Sequence, residues 1–139
     1  MTTLRPQPQF PEPDTESFWE ATKQHKLTYQ TCDSCGNVIF YPRRHCPNCG
    51  SAENTVKESR GEGAVYTFSV IMQSRHPAFK DLGAFAVAYV DLDEGFRMMT
   101  NIVGVQNPVT DLQCGMRVVV DWQDQGEGNV SLPMFRLAE

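Results

Sequence analysis

Past residue 62 the chain breaks into short apolar and polar alternations, and the runs 64–72, 85–92, 96–103, 117–123 and 131–137 each predict a strand. Tyr66, Phe68 and Val70 fall on one face of the first run, and Val118, Val120 and Trp122 on one face of the fourth, as the two-residue period of a half-buried strand requires. Asp93-Glu94-Gly95 turns the second run back on the third as a hairpin. The stretch 107–115 is long enough for one helical turn. Five antiparallel strands with a short helical insertion after the third match the order of an OB-fold barrel, although a small open sandwich would show similar runs. The expected fold class is mainly β.

The N-terminal part follows another pattern. Pro6, Pro8, Pro11 and Pro13 remove backbone donors and predict an extended, polyproline-like arm. Asp14 and Thr15 are suitable N-caps, and Glu16 and Glu20 sit near the positive end of a helix dipole, so a helix is predicted over 15–25. Phe18 and Trp19 give that helix an apolar edge, which either packs on the rest of the chain or anchors a partner subunit. A short strand is expected over 38–41, and the polar stretch 52–62, closed by Gly61 and followed by Gly63, reads as a joint.

Between these lie the residues with the most specific chemistry. Cys32-Asp33-Ser34-Cys35-Gly36 and Cys46-Pro47-Asn48-Cys49-Gly50 are two CxxC turns, each followed by glycine. Such a turn points two sulfurs at one centre, its amides can donate to the thiolates, and the glycine allows the positive φ that closes it. Two together make a tetrahedral sulfur site, which suits zinc, while iron in a rubredoxin-like centre uses the same geometry. Four thiolates leave no open position for a reacting water, so the metal is expected to be structural. His45, beside Cys46, reads as an exposed loop residue, and Cys114 as a partly buried free thiol. The organisation that follows is an arm and helix over 1–26, a rubredoxin-like zinc ribbon over 27–61 and a five-stranded OB-fold barrel over 62–139.

Composition narrows the function classes. The chain has 139 residues, of which 40% are hydrophobic and 21% charged, as in ordinary globular proteins. Its formal charge of −5 becomes more negative with four thiolates around a divalent ion, so general affinity for polyphosphate is not expected. Arg43-Arg44 and the surroundings of Arg75 and Lys80 are local exceptions where one anionic group could be held. No window approaches the roughly 20 apolar residues of a membrane span, and the first residues lack the apolar core of a secretory signal, so the expected compartment is the cytoplasm.

The aromatic-bearing helix, the two CxxCG knuckles, Gly61-Glu62-Gly63-Ala64-Val65-Tyr66-Thr67-Phe68, Ala86-Val87-Ala88-Tyr89-Val90-Asp91-Leu92 leading into Gly95-Phe96-Arg97, and Gly115-Met116-Arg117-Val118 together resemble the DUF35 family. The likeness covers nearly the whole chain. It implies a zinc ribbon joined to an OB-fold, and a non-catalytic accessory subunit of a thiolase-superfamily enzyme acting on acyl-CoA. Thiolases, lipid-transfer-protein-like aldolases of steroid side-chain degradation and hydroxymethylglutaryl-CoA synthase assemblies are the partner classes implied. A two-plus-two heterotetramer is the expected assembly, docked through the proline arm and Phe18-Trp19.

On that reading the loop 73–83 takes a ligand or partner role: Phe79 would cover an acyl group, and Arg75 and Lys80, helped by Arg43 and Arg44, would attract CoA phosphates. His76 would be able to reach into a partner's active site as an acid or base. The alternative for this loop is an ordinary solvated surface with Phe79 tucked into the barrel. The alternative function is a single-stranded nucleic-acid-binding module, against which the acidic balance argues. Electron transfer through iron is a third class, which would not require so large a second module.

Overall fold

The structure, a computed structural model, describes residues 5–8 and 12–139. The helix α1 (Pro13–Thr22) opens with proline at its first position, where the ring presets φ and no amide is wasted. Glu12 is its N-cap and makes no side-chain cap bond. The helix thus starts two residues before the predicted 15–25 and ends earlier, because His25 takes a left-handed φ of 58° while the Lys26 amide returns to the Ala21 carbonyl at 3.1 Å. Of the arm prolines, Pro11 lies outside the described residues. Pro6 and Pro8 belong to a stretch tied down at Arg5, whose amide donates to Gln125 Oε1 at 2.7 Å and whose guanidinium donates to the Ala78 carbonyl.

Strands β1 (Thr28–Cys32), β2 (Val38–Ile39) and β3 (Asn54–Glu58) form an antiparallel sheet in the order β2-β1-β3. Two expectations change here. The strand predicted over 38–41 stops at Ile39, and Phe40 turns away to join an aromatic cluster. The supposed joint 52–62 contains β3, which pairs with β1 from Thr28↔Glu58 to Cys32↔Asn54. Its side chains are mostly exposed, so it carries no alternation that the sequence could display.

The remaining strands are β4 (Glu62–Ile71), β5 (Phe85–Leu92), β6 (Arg97–Ile102), β7 (Arg117–Asp124) and β8 (Ser131–Leu137), with the one-turn helix α2 (Pro108–Asp111) before β7. They close into a barrel in the order β4-β5-β6-β8-β7, with β7 returning to β4, which is the OB-fold arrangement. Val65, Ala88, Val90, Met98, Ile102, Val118 and Phe135 fill its interior. A β-bulge between Val65 and Thr67 shifts the alternation of β4, so Tyr66 points outward at 52% exposure instead of sharing the face of Phe68 and Val70. Gly63 marks a place where backbones nearly touch: a Cβ there would lie 2.3 Å from the Asp91 carbonyl oxygen.

Helix, ribbon and barrel share one core. Phe18 from α1 and Leu27 from the linker are buried with the barrel residues, and Phe40 stands between Phe18 at 5.7 Å and Phe96 at 4.8 Å between ring centroids. Tyr29 of β1 stacks on Phe96 at 5.1 Å. The ribbon is therefore fixed to the barrel by aromatic packing.

Candidate metal centre and apolar groove

The two knuckles are built alike. In the first, the Gly36 amide donates to the Cys32 carbonyl at 2.9 Å and the Cys32 amide to Asn37 O at 2.8 Å; in the second, Gly50 donates to Cys46 O at 2.8 Å and Cys46 to Ser51 O at 2.8 Å. Gly36 and Gly50 close them at φ 77° and 81°, where a side chain would be strained. Their sulfurs converge: Cys32 and Cys49 are 3.6 Å apart, Cys35 and Cys46 3.7 Å, and all four Sγ atoms lie within 4.8 Å of one another. A tetrahedral zinc with bonds of about 2.3 Å needs sulfurs about 3.8 Å apart, so the cage fits the ion.

The donor set also needs a cation. Burial pushes the Cys46 thiol up, yet hydrogen bonds from the Cys49 and Asn48 amides outweigh it and hold it down at about 6. The Asn48 side-chain amide, 3.5 Å from Cys35 Sγ, is the main cause lowering that thiol. The Ser51 amide favours a Cys49 thiolate, but Cys32, with burial and the other two sulfurs, overrides it and pushes Cys49 up to about 12. Four sulfurs this close cannot all be thiolates without a positive charge among them. His45 is exposed, as expected of a loop residue. Cys114 is also exposed, not partly buried, because it sits in the turn in which the Met116 amide reaches back to Gln113 O at 3.3 Å.

Away from the sulfurs lies a groove of about 560 Å³. One wall is α1 with Phe18 and Trp19, another the ribbon segment Phe40, Tyr41 and Pro42, and a third Phe79. Its floor is made by Phe85 and Val87 of β5, Met98 to Asn101 of β6, and Leu132 to Met134 of β8. Phe18 is buried, whereas Trp19 and Phe79 are half-buried. Phe79 stacks on Phe85 at 5.9 Å under the Arg5 guanidinium, 5.1 Å from its ring.

The profile for the "ChsH2, rubredoxin-like zinc ribbon domain" matches residues 19–55, and that for the "ChsH2, C-terminal OB-fold domain" matches residues 56–123. A "DUF35 domain-containing scaffold protein" of Methanothermobacter thermautotrophicus is 36% identical over 93 residues, covering 65% of this chain and 68% of the relative. The chain belongs to the DUF35 family. A "Probable enoyl-CoA hydratase alpha subunit" of Thermomonospora curvata is 38% identical over 135 residues, or 97% of this chain, which spans 40% of that relative's length. A solved "Ltp2-ChsH2(DUF35) aldolase" chain is matched over its full length, 100%, and over 97% of this one, at 37% identity and a TM-score of 0.82. A DUF35 structure of unknown function from Sulfolobus solfataricus shares the fold, with a TM-score of 0.63 at 15% identity and coverage of 91% and 87% of the two chains.

In this DUF35 chain none of the other predicted residues lines the groove, although two of them adjoin lining residues in sequence. Arg43 follows the lining residue Pro42, and Lys80 follows Phe79 at the start of a 3-10 turn. Arg43, Arg44, Arg75 and Lys80 are exposed, and among the described residues none has an ion pair. His76 is exposed and held locally, its Nδ1 accepting from the Ala78 amide at 3.0 Å. Other cations serve the scaffold: Arg97 pairs with Asp91 at 2.6 Å over the Tyr66 ring, and Arg117 holds Asp93 at 2.8 and 2.6 Å. No described helix is long and apolar enough to cross a membrane.

Tyr41, Met99, Leu132 and Met134 escaped the sequence reading as groove residues. A signal existed: Met98-Met99 and Leu132-Pro133-Met134 are consecutive apolar residues in the neighbouring strands β6 and β8, and β8 is buried from Ser131 to Phe135. A strand apolar on both faces has something covering its outer side.

Proposed function

We propose that this chain is a non-catalytic accessory subunit of a thiolase-superfamily enzyme, a lipid-transfer-protein-like aldolase or a thiolase, acting on an acyl-CoA in lipid or steroid side-chain breakdown. One observation carries the reading: the end-to-end likeness to the solved Ltp2-ChsH2(DUF35) aldolase chain, at 37% identity and a TM-score of 0.82. Cys32, Cys35, Cys46 and Cys49 hold a structural zinc, which fixes the ribbon so that Phe40 to Pro42 form a wall of the groove. The ion supplies no reaction step, since four sulfurs fill its coordination.

Arg43, Arg44, Arg75 and Lys80 supply the positive charge for CoA phosphates; their exposure, with no ion pair among the described residues, supports this. His76 remains a positioning or proton-carrying candidate toward the partner's site. We assign docking to the outer barrel face, where Tyr66, Tyr89 and Met99 are 52%, 44% and 54% exposed, together with α1, in a two-plus-two assembly. Oligonucleotide binding is disfavoured by the charge of −5 and by the apolar lining of the groove.

Co-expression of the tagged chain with thiolase-superfamily genes of its host, followed by affinity purification and a thioester assay, tests the proposal. A stable complex whose turnover depends on this chain is expected. Turnover of a thioester by the purified chain alone, or its failure to retain any such enzyme, would refute it.

A further inference from the structure

Arg5 is remote in sequence from the two loops it touches. Its amide donates to Gln125 Oε1 at 2.7 Å, its guanidinium donates to the Ala78 carbonyl, and the same guanidinium lies over the Phe79 ring, 5.1 Å from the centroid. Gln125 begins the loop between β7 and β8, and Ala78 and Phe79 belong to the loop between β4 and β5. Counted along the barrel, these loops join its fourth and fifth strands and its first and second, the pair with which OB-folds commonly hold a ligand. Here a residue of the chain's own N-terminal arm spans them.

Both ends of the span are prepared. Gln125 is 2% exposed; its side-chain amide donates to the Gln123 and Asp124 carbonyls at 3.4 and 3.3 Å, and its own carbonyl accepts from the Asn129 side chain at 2.7 Å. Its Oε1 is therefore fixed in place, and loss of the Arg5 amide would strip a buried acceptor of its donor. The other loop is closed by bonds of its own: the Phe79 and Lys80 amides both donate to the His76 carbonyl at 2.9 Å, and the Ala78 amide to His76 Nδ1 at 3.0 Å. That turn leaves the Ala78 carbonyl to Arg5. A guanidinium suits the place, because one planar group both stacks on a ring and donates to a carbonyl. Terminal segments are ordered only where they are tied down, and arginine is rarely buried unless it is paired; Arg5, at 8% exposure, meets both conditions.

We propose that the N-terminal arm is an intramolecular latch, in which Arg5 ties the loop 73–83 to the loop 125–130. Arg5 and Gln125 are then positioning residues: they set where Phe79 stands, and with it the neighbouring Arg75, His76 and Lys80. The latch does not rest on the function proposed above.

The readout is tryptic cleavage, since the loop carries its own sites at Arg75 and Lys80, whereas the Arg5-Pro6 bond resists trypsin. A native loop is cut when it opens, at a rate that follows the population of the open form. In the full-length, zinc-loaded chain, digested under native conditions and followed by mass spectrometry, Arg5→Ala is expected to speed cleavage after Arg75 and Lys80 about 10-fold. Cleavage after Arg44 in the ribbon should stay as it is. Gln125→Met keeps the length of the side chain and removes its acceptor, so it should act on the same two bonds. Arg5→Lys keeps a cation for the ring and a donor for the carbonyl, and should restore part of the protection.

Loop cleavage unchanged by Arg5→Ala overturns the latch. So does equal acceleration in loop and ribbon, because Arg5 would then support the whole fold. Acceleration by Arg5→Ala without any by Gln125→Met would sink the tie between the two loops. If Gln125→Met does not fold, deuterium exchange of the Arg5 amide in the wild-type chain tests the same bond: protection is expected, and exchange at the rate of a free peptide would refute it.

Discussion

Phe40 of the ribbon stacks on Phe96 of the barrel hairpin, ring centroids 4.8 Å apart at an interplanar angle of 28°. The same ring meets Phe18 edge-on at 5.7 Å, so one side chain ties together helix, ribbon and barrel. Phe40→Ala removes this contact from a partly buried site and is expected to cost about 2–3 kcal/mol, toward the low end of core aromatic truncations. Denaturant unfolding measures it, with metal content as control. An unchanged midpoint would mean that the ribbon is held by something else.

The metal cage makes a separate prediction. Each chain is expected to release one zinc when its thiols are blocked by a mercurial, read with a colorimetric zinc indicator, and Cys46→Ser is expected to purify without the ion. Because the ribbon presses Phe40 against Phe18, whose ring is 5.0 Å from Trp19, metal loss should also shift the tryptophan fluorescence. Iron in place of zinc after growth in iron-replete medium, visible as colour, would reopen the electron-transfer reading.

Gly63 and Gly104 separate close approach from backbone conformation. A Cβ at Gly63 would meet the Asp91 carbonyl oxygen at 2.3 Å and Leu92 Cα at 3.1 Å, both backbone atoms that cannot step aside. Gly63→Ala is expected to cost about 3 kcal/mol by wedging β4 from β5. Gly104 has open space around it and a φ of 75°, so Gly104→Ala should cost only the left-handed penalty, about 1 kcal/mol. Equal losses in the two variants would contradict this account.

Much of this architecture is readable from the chain, and where it is not the reasons are physical. The CxxCG pairs specify a cage because chemistry demands those residues at that spacing, and the barrel strands show because each buries one face. Strand β3 is silent since Asn54, Thr55, Val56, Lys57 and Glu58 leave no period to detect at an exposed sheet edge. Tyr66 is misplaced by a bulge, which no alternation announces. The groove is assembled from parts remote in sequence, Trp19, Tyr41, Phe79, Met99 and Leu132, so only its two-sided apolar strands hint at it.

Asp93 carries a pH prediction. The Arg117 guanidinium beside it holds its carboxyl below the usual range, so the pair stabilises the fold above the unfolded pKa of about 3.9, and that contribution drains away as pH falls through the lower folded value. The difference in urea midpoint between wild type and Asp93→Asn should be small at pH 7 and shrink further below pH of about 4. Acid release of the metal is common to both chains and cancels in the difference. A gap that widens on acidification would have the wrong sign for this ion pair.

Tyr89 and Met99 face each other across β5 and β6 on the outer barrel surface, 44% and 54% exposed. Neither contributes to the buried core, so replacing both by serine should change the stability of the free chain by less than about 1 kcal/mol. If this face docks the enzyme, the loss of two large side chains from the centre of an interface should weaken association by about 10-fold or more. Analytical ultracentrifugation of the reconstituted complex distinguishes the cases, because surface residues with no partner would leave both stability and assembly untouched. A double variant that still assembles with wild-type affinity would move the docking face elsewhere, with α1 and its half-buried Trp19 the next surface to substitute.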